Sequence, residues 1–120
     1  MTDDRLGAVE ARFADIVWAN APLTTADLVK LCANELSWKR TTTYTVLKRL
    51  GEKGLFHMEN GVVSVLIARD DYYAAQTEKY VEETFDGSLP AFLAAFTKRK
   101  TLRAEEIAEI KAMIDDYGKE

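Results

Sequence analysis

The stretch from Ser37 to Leu55 constrains the fold of this chain more than any other part of the sequence. At helical spacing, four of its residues share one face that would pack inward: Thr43, Val46, Leu47 and Leu50. The opposite face carries short hydroxyls and charged groups: Thr41, Thr45, Lys48 and Glu52. A helix that faces only water usually mixes Glu and Lys on its outer side, so this outer face is unusual.

Such an outer face suits a helix that lies in the major groove of DNA. Short Thr side chains allow a close approach to base edges, and their methyl groups can touch thymine methyls. Cations at both ends of the helix can reach phosphates on either wall of the groove. The residues predicted to contact DNA are Lys39, Arg40, Thr41, Thr42, Thr45, Lys48, Arg49 and Lys53. A solvated amphipathic helix with a chance run of threonines is the alternative, and the surrounding sequence must decide between the two.

Charge is segregated along the chain. The formal net charge of −4, taken whole, argues against a nucleic-acid partner. From Lys30 to Lys53, however, six cations outnumber two acids, whereas from Asp70 to Thr97 six acids outnumber one cation. Attraction to a polyanion depends on the face that is presented, so one basic segment beside an acidic one indicates an oriented binder.

Helical periodicity predicts three helices in the first half of the chain. The first spans about Gly7–Ala19, and Pro22 prevents it from continuing. The second spans about Thr25–Glu35 after Thr24 as its N-cap, and Gly54 ends the third with a left-handed cap. Two helices joined by a short turn, with the second basic on its outer face, indicate a helix-turn-helix.

A β-hairpin is predicted after these helices. Asn60-Gly61 is the strongest two-residue hairpin signal, and β-branched residues follow it. Pairing about this turn places two pairs opposite each other, Met58 with Val63 and Phe56 with Val65. Three helices followed by a hairpin predict a winged helix-turn-helix over residues 1–69, in a mainly α fold with a small β-hairpin wing.

The remaining residues, 70–120, predict a C-terminal arm of three helices. These span about Asp70–Phe85, a short segment capped by Ser88, and about Arg103–Tyr117. Their apolar side chains have little core of their own to fill, so we expect them to pack against a second copy of the chain. The residues predicted to form the dimer are Tyr73, Tyr80, Phe85, Phe92, Leu93, Phe96, Ile107, Ile110, Met113 and Ile114. Packing back onto the N-terminal domain is the disfavoured alternative, because that domain already has a core.

No pattern in the sequence predicts catalysis, a metal site or a cofactor. The chain has one cysteine, Cys32, and one histidine, His57, on separate predicted elements and with no acid placed beside them by a motif. Adjacent acids such as Glu82-Glu83 diverge on a helix and are typical of a solvated face. We therefore do not expect an enzyme.

Composition also indicates where the protein works. A lone cysteine excludes an internal disulfide and fits a reducing compartment. No apolar run approaches the roughly 18 residues of a membrane span, and the acidic start Met1–Asp4 is unlike a signal peptide. We expect a cytoplasmic protein without membrane contact.

Two groups of residues carry a family resemblance. The first lies in the N-terminal half: Leu6, Glu10, Ile16-Val17-Trp18, Leu23-Thr24-Thr25, Leu28-Val29, Thr42, Thr45-Val46-Leu47, Arg49-Leu50 and Lys53-Gly54-Leu55. The second lies in the C-terminal half: Phe85-Asp86-Gly87-Ser88-Leu89, Leu102, Glu105-Glu106-Ile107 and Ile110-Lys111. With these, nearly the whole chain resembles the penicillinase repressor family, the BlaI/MecI/CopY group of bacterial transcriptional regulators. The resemblance implies a homodimer whose N-terminal winged helices read an operator palindrome while the C-terminal helices interlock.

Some departures from the family pattern concern regulation and the wing. Relatives that respond to antibiotics are cut by a dedicated protease at an Asn-Phe bond, and the candidate proteolysis site here reads Ala95-Phe96, which argues against that partner. Copper-responsive relatives carry a cysteine pair that is absent here. The wing carries Val62, Ser64 and Leu66 where relatives place an arginine and aromatics, so we expect weak phosphate contacts from it.

The sequence thus predicts a dimeric, sequence-specific DNA-binding repressor of a double-stranded operator. A winged-helix module that binds another protein is the rival hypothesis, and salt-dependent DNA binding would distinguish the two. A third hypothesis keeps the repressor and assigns its signal to oxidation of Cys32, which requires an accessible thiol.

Overall fold

The computed structural model describes residues 5–119. The expectation drawn from the acidic start Met1–Asp4 therefore lies outside the described residues. Within them the elements are, in order, α1 (Ala8–Asn20), β1 (Leu23–Thr24), α2 (Thr25–Leu36), α3 (Arg40–Glu52), β2 (Phe56–Glu59), β3 (Val62–Val65), α4 (Arg69–Phe85), α5 (Leu89–Arg99) and α6 (Ala104–Tyr117). For α1, α2, α4 and α6 the predicted bounds agree with those observed to within one residue. No helix in this range combines the length and hydropathy needed to cross a membrane.

The chain divides into two compact units between Thr77 and Glu78, within α4. We refer to them as the N-terminal and C-terminal units. The sequence places the boundary between residues 69 and 70, at the beginning of the same helix. Tyr72 and Tyr73, which follow that position, pack with the core of the N-terminal unit.

One face of each of the first three helices forms the core of the N-terminal unit. The four residues of α3 predicted to face inward, Thr43, Val46, Leu47 and Leu50, are all buried. They meet Phe13, Ala14, Ile16 and Val17 of α1 and Leu28 and Cys32 of α2. The helical pattern therefore identifies both the core face of α3 and the opposite, outer face.

Aromatic contacts fix how the elements of this unit meet. Trp38, just before α3, stacks on Phe13 of α1 with ring centroids 5.6 Å apart and planes 20° apart. The indole N–H of Trp18 donates to the Ile67 carbonyl at 3.0 Å, and its ring meets Phe56 edge-on. Trp38 thus has a structural role at the entry to α3, and Trp18 ties α1 to the segment that leaves the wing.

The wing is a three-stranded antiparallel sheet in the order β1-β3-β2. The predicted register is confirmed, since Met58 pairs with Val63 and Phe56 with Val65. Asn60 and Gly61 both have positive φ, 53° and 75°, as the predicted two-residue turn requires. The N–H of Thr25 donates to the Gly61 carbonyl at 2.9 Å, so the turn is bound to the beginning of α2. Helices and sheet together form a winged helix-turn-helix.

The C-terminal unit has little buried surface of its own. No residue of α5 or α6 that the structure describes is buried. Ser88 caps α5 as predicted by accepting from the Ala91 N–H at 3.1 Å. Within this unit four aromatic rings form a cluster with centroid distances of 5.8–6.3 Å: Tyr80, Phe85, Phe92 and Phe96.

Gly54 ends α3 in the way the sequence predicts. Its φ is +86°, the Gly54 N–H donates to the Gly51 carbonyl, and the Leu55 N–H donates to the Leu50 carbonyl. These two bonds are those of a Schellman motif, which favours glycine because a Cβ is strained at positive φ. The end of α3, and with it the position of Lys53, is therefore set by one glycine.

Two glycines three residues apart should respond to alanine with opposite signs. Gly54→Ala should lower the free energy of unfolding by about 1–2 kcal/mol, because its cost is backbone strain and its Cβ meets no atom within 4 Å. Gly51→Ala should raise it by about 0.5–1 kcal/mol, because Gly51 lies inside α3 and its Cβ would be in ordinary contact with Phe56. Urea unfolding of both variants measures this, and a loss of stability in both would contradict the cap.

Candidate nucleic-acid interface

The outer face of α3 is exposed along its whole length. The exposed residues among those predicted to contact DNA are Lys39, Arg40, Thr41, Thr42, Thr45, Lys48 and Arg49. Lys53, at the C-cap, is only partly exposed. The structure thus brings the predicted residues together on one surface, which we call the α3 face, with Lys53 at its edge.

The first turn of α3 favours a bound anion. Lys39 occupies the N-cap without a side-chain cap hydrogen bond, and the turn contains no acidic residue. The first backbone N–H groups of a helix lack partners within it and carry its positive dipole end. Together with the charges of Lys39 and Arg40, they suit a phosphate oxygen at this end.

Tyr44 is a member of this surface that the sequence pattern does not identify. The guanidinium of Arg40 lies 5.5 Å from the centre of the Tyr44 ring, one helical turn away, which restricts the arginine by a cation–π contact. The pKa of the Tyr44 phenol is lowered, mainly by a side-chain hydrogen bond with Thr25 and also by Arg40. The i, i+4 spacing of Arg40 and Tyr44 is the sequence signal that points to this pair.

Thr43 and Thr45 lie on opposite faces of α3. Thr43 is buried, and its hydroxyl donates to the Lys39 carbonyl at 3.2 Å. Thr45 is exposed, and its hydroxyl donates to the Thr41 carbonyl at 2.9 Å. The Thr45 side chain thereby has a fixed rotamer that leaves its methyl group and oxygen lone pairs available.

A carboxylate of α1 binds both cations at the C-terminal end of α3. Oε2 of Glu10 lies 3.1 Å from Nη1 of Arg49, and Oε1 lies 3.8 Å from Nζ of Lys53. Lys53 also donates to the Arg5 carbonyl at 3.2 Å, and the Gly7 N–H donates to Oε1 of Glu10 at 3.2 Å. Arg49 and Lys53 therefore both contact Glu10 within the protein. These contacts join α1 to the end of α3, and the sequence alone does not reveal them.

These contacts decide the ionisation of Glu10. Burial alone would raise its pKa, but hydrogen bonds from Gly7 and Arg49 and the charges of Lys53 and Arg49 outweigh this and lower it. A lowered carboxyl pKa stabilises the fold above the unfolded pKa, and that stabilisation is lost as the pH falls through the folded value.

Arg49→Gln should destabilise the protein at neutral pH and have almost no effect in acid. We expect a loss of about 0.5 kcal/mol at pH 7, since the Arg49 side chain is 52% exposed and solvent weakens the pair. The loss should shrink as the pH falls through the lowered pKa of Glu10, because the protonated carboxyl no longer attracts Arg49. Lys48→Gln is the control, because Lys48 forms no ion pair within residues 5–119. Equal losses at both pH values would contradict an electrostatic contribution.

The wing adds no cation to the surface. Glu59 is the acidic residue between Phe56 and Val65, and its Oε2 lies 3.4 Å from Nε2 of the exposed His57. Exposed apolar side chains cover much of the rest: Met58, Val62, Val65 and Leu66. The wing strands therefore contribute less to electrostatic attraction of a polyanion than the α3 face, which carries several exposed cations.

Outside the α3 face, the side chains considered for chemistry are Cys32 and the potential metal ligands. Cys32 is fully buried, and burial raises the pKa of its thiol. No cluster of three or more potential metal ligands occurs in the described part of the chain. A buried thiol with a raised pKa is a poor redox sensor, which weighs against the oxidation hypothesis.

Comparison with known proteins decides what this winged helix belongs to. The family model described as penicillinase repressor matches residues 6–116, which cover both units. The chain belongs to the penicillinase repressor family. A penicillinase repressor of Bacillus licheniformis is 24% identical over 117 residues, which are 94% of this chain and 91% of that relative.

Membership confirms the family resemblance, and it bears on what the α3 face binds. Penicillinase repressors are transcriptional regulators rather than enzymes. Transcriptional repression implies contact with DNA, and in this member of the family the exposed hydroxyls and cations lie on the second helix of the helix-turn-helix. That helix enters the major groove in DNA-binding proteins of this type.

Proposed function

We propose that this protein represses transcription in the cytoplasm by binding a palindromic DNA operator as a homodimer, with the α3 face in the major groove. The single observation that carries the proposal is the composition of that face, in which exposed threonines lie between cations on the helix that the fold presents outward. Membership of the penicillinase repressor family supports the repressor and DNA as its partner.

We propose that different residues of the α3 face contact bases and phosphates. Thr41, Thr42 and Thr45 are short and exposed, which suits them to base edges. Lys48 is an exposed cation without an ion pair in the described residues, so it is available to phosphate. Arg40, held over Tyr44, would reach phosphate or a guanine at the N-terminal end.

Exposed apolar surface in the C-terminal unit supports the homodimer. Met113 is 70% exposed and Ile114 58% exposed, and Phe96 and Ile107 are also exposed. Large apolar side chains that are exposed to this extent favour an interface. We propose an interface built from Tyr80, Phe85, Phe92, Leu93, Phe96, Ile107, Ile110, Met113 and Ile114. Tyr73, also predicted to lie in the interface, packs with Trp18 and Tyr72 in the N-terminal unit and is not part of this proposal.

The proposal does not include a regulatory protease. The candidate bond Ala95–Phe96 lies inside α5, and both residues are exposed. Alanine stands where cleaved relatives have asparagine, so the side chain expected at the cleaved bond is missing.

Binding of the purified protein to its own upstream DNA and to a random duplex, over a salt series, tests the proposal. We expect a strong preference for the upstream fragment, a footprint on an inverted repeat, and a steep loss of affinity as salt rises, because phosphate contacts release counterions. Weak binding without preference would overturn the repressor and favour a protein partner for the α3 face.

Thr45→Ala and Lys48→Ala should separate base readout from phosphate binding. Thr45→Ala should lower the preference for the operator over random DNA by about tenfold and leave the salt slope unchanged. Lys48→Ala should weaken binding to every sequence and reduce the slope by about 0.9 for each phosphate that is no longer neutralised. Equal losses on operator and random DNA for both variants would contradict this division.

Ile114→Asp should shift the protein from dimer to monomer without unfolding it. A charge placed in a buried interface lacks a partner, whereas in the monomer the side chain at this position is exposed. Ala112→Asp is the matched control, since Ala112 lies on the opposite side of α6 and receives the same charge. Sedimentation velocity measures the mass and circular dichroism the fold. Dissociation of both variants, or of neither, would contradict the assignment.

A further inference from the structure

The cations of the α3 face differ in how far they are available to a ligand. Lys48 is exposed and lacks an ion pair in the described residues. Arg49 and Lys53 both contact Glu10, which belongs to another helix and whose side chain is only 17% exposed. Glu10 therefore gives the C-terminal half of α3 an internal anion at the place where a phosphate would otherwise be attracted.

We propose that Glu10 limits the affinity of the α3 face for DNA by competing with phosphate for Arg49. The inference rests on the proposed function, because it concerns the strength of the same DNA contact. In this proposal Glu10 does not touch DNA. It acts through Arg49, which it holds away from phosphate.

The geometry of Glu10 makes it an effective competitor. Both carboxylate oxygens are engaged, Oε2 by Arg49 and Oε1 by the Gly7 N–H and the Lys53 ammonium. The Gly7 bond belongs to the capping box of α1, so the carboxylate is fixed by its own helix whether or not DNA is present. A fixed anion that is largely shielded from water attracts a neighbouring cation more strongly than a mobile, hydrated one.

Exposure identifies Arg49 as the cation that can exchange between Glu10 and DNA. Its side chain is 52% exposed, whereas that of Lys53 is 17% exposed and donates in addition to the Arg5 carbonyl. Lys53 is therefore a structural cation that ties the beginning of the described chain to the end of α3. Of the two, Arg49 has the open side from which phosphate could approach.

Competition of this kind should weaken binding to every DNA sequence equally. A phosphate carries no sequence information, so a restraint on a phosphate-binding cation changes affinity without changing preference. Releasing one cation should make the slope of log affinity against log salt concentration steeper by about 0.9. The same slope predicts a gain in affinity of about eightfold at 0.1 M salt for each cation released.

Glu10→Gln tests this directly. Glutamine keeps an oxygen that can accept the Gly7 N–H, so α1 retains its cap while the charge is removed. With the full-length protein, a random 20-base-pair duplex and the upstream fragment, we expect the eightfold gain and the steeper slope on both DNAs. Should this variant fail to fold by circular dichroism, Glu10→Ala removes the same charge and takes its place.

Two further variants show that the effect passes through Arg49. Glu35→Gln makes the same change in net charge at an α2 carboxylate that forms no ion pair in the described residues, and it should leave the slope unchanged. In an Arg49→Gln background, Glu10→Gln should no longer steepen the slope. An equal effect of Glu35→Gln, or a Glu10 effect that persists without Arg49, would overturn the inference.

The outcomes distinguish the inference from the function on which it rests. Weaker binding and a shallower slope for Glu10→Gln would mean that Glu10 aims Arg49 at phosphate, which overturns competition. An unchanged slope, with normal binding by the wild-type protein, overturns the inference alone. Absence of salt-dependent binding by the wild-type protein overturns the repressor proposal and the inference with it.

Discussion

The burial of one face of α3 is the constraint on which the rest of this structure depends. Once Thr43, Val46, Leu47 and Leu50 are packed against α1 and α2, the residues between them must face outward, whatever their chemistry. The stacking of Trp38 on Phe13 fixes where the helix begins, and the glycine cap at Gly54 fixes where it ends. The α3 face is thus a consequence of core packing, and its chemistry can vary without loss of the fold.

Packing also couples the α3 face to α1, at a distance along the chain that no local pattern reveals. Glu10 lies 39 residues before Arg49, yet the packing of α1 and α3 brings Oε2 of Glu10 to 3.1 Å from Nη1 of Arg49. Attraction between this pair stabilises the fold weakly, because Arg49 is half exposed. If Arg49 contacts phosphate as proposed, the same attraction opposes that contact, and stability and DNA affinity then depend in opposite directions on one carboxylate.

Local signals in the sequence predict most of the fold, and long-range contacts account for what they miss. Helix bounds, the Gly54 cap and the wing register follow from short patterns, since each depends on residues a few positions apart. The outer face of α3 follows from the same periodicity. The contacts of Glu10 with Arg49 and Lys53, by contrast, require knowledge of how two helices pack. The sequence predicts that Tyr73 faces a second copy of the chain, and in the structure its ring packs with Trp18 and Tyr72. An aromatic residue in an amphipathic helix has the same sequence pattern whether it completes a core or faces a partner.

The hydrogen bond from Thr45 to the Thr41 carbonyl has a consequence for the kind of base that α3 can read. With its proton donated to the backbone, the Thr45 oxygen can only accept. In the major groove the groups that donate are the amino groups of adenine and cytosine, whereas guanine and thymine present acceptors there. If α3 docks as proposed, the base facing the Thr45 oxygen in each half of the operator is therefore an adenine or a cytosine.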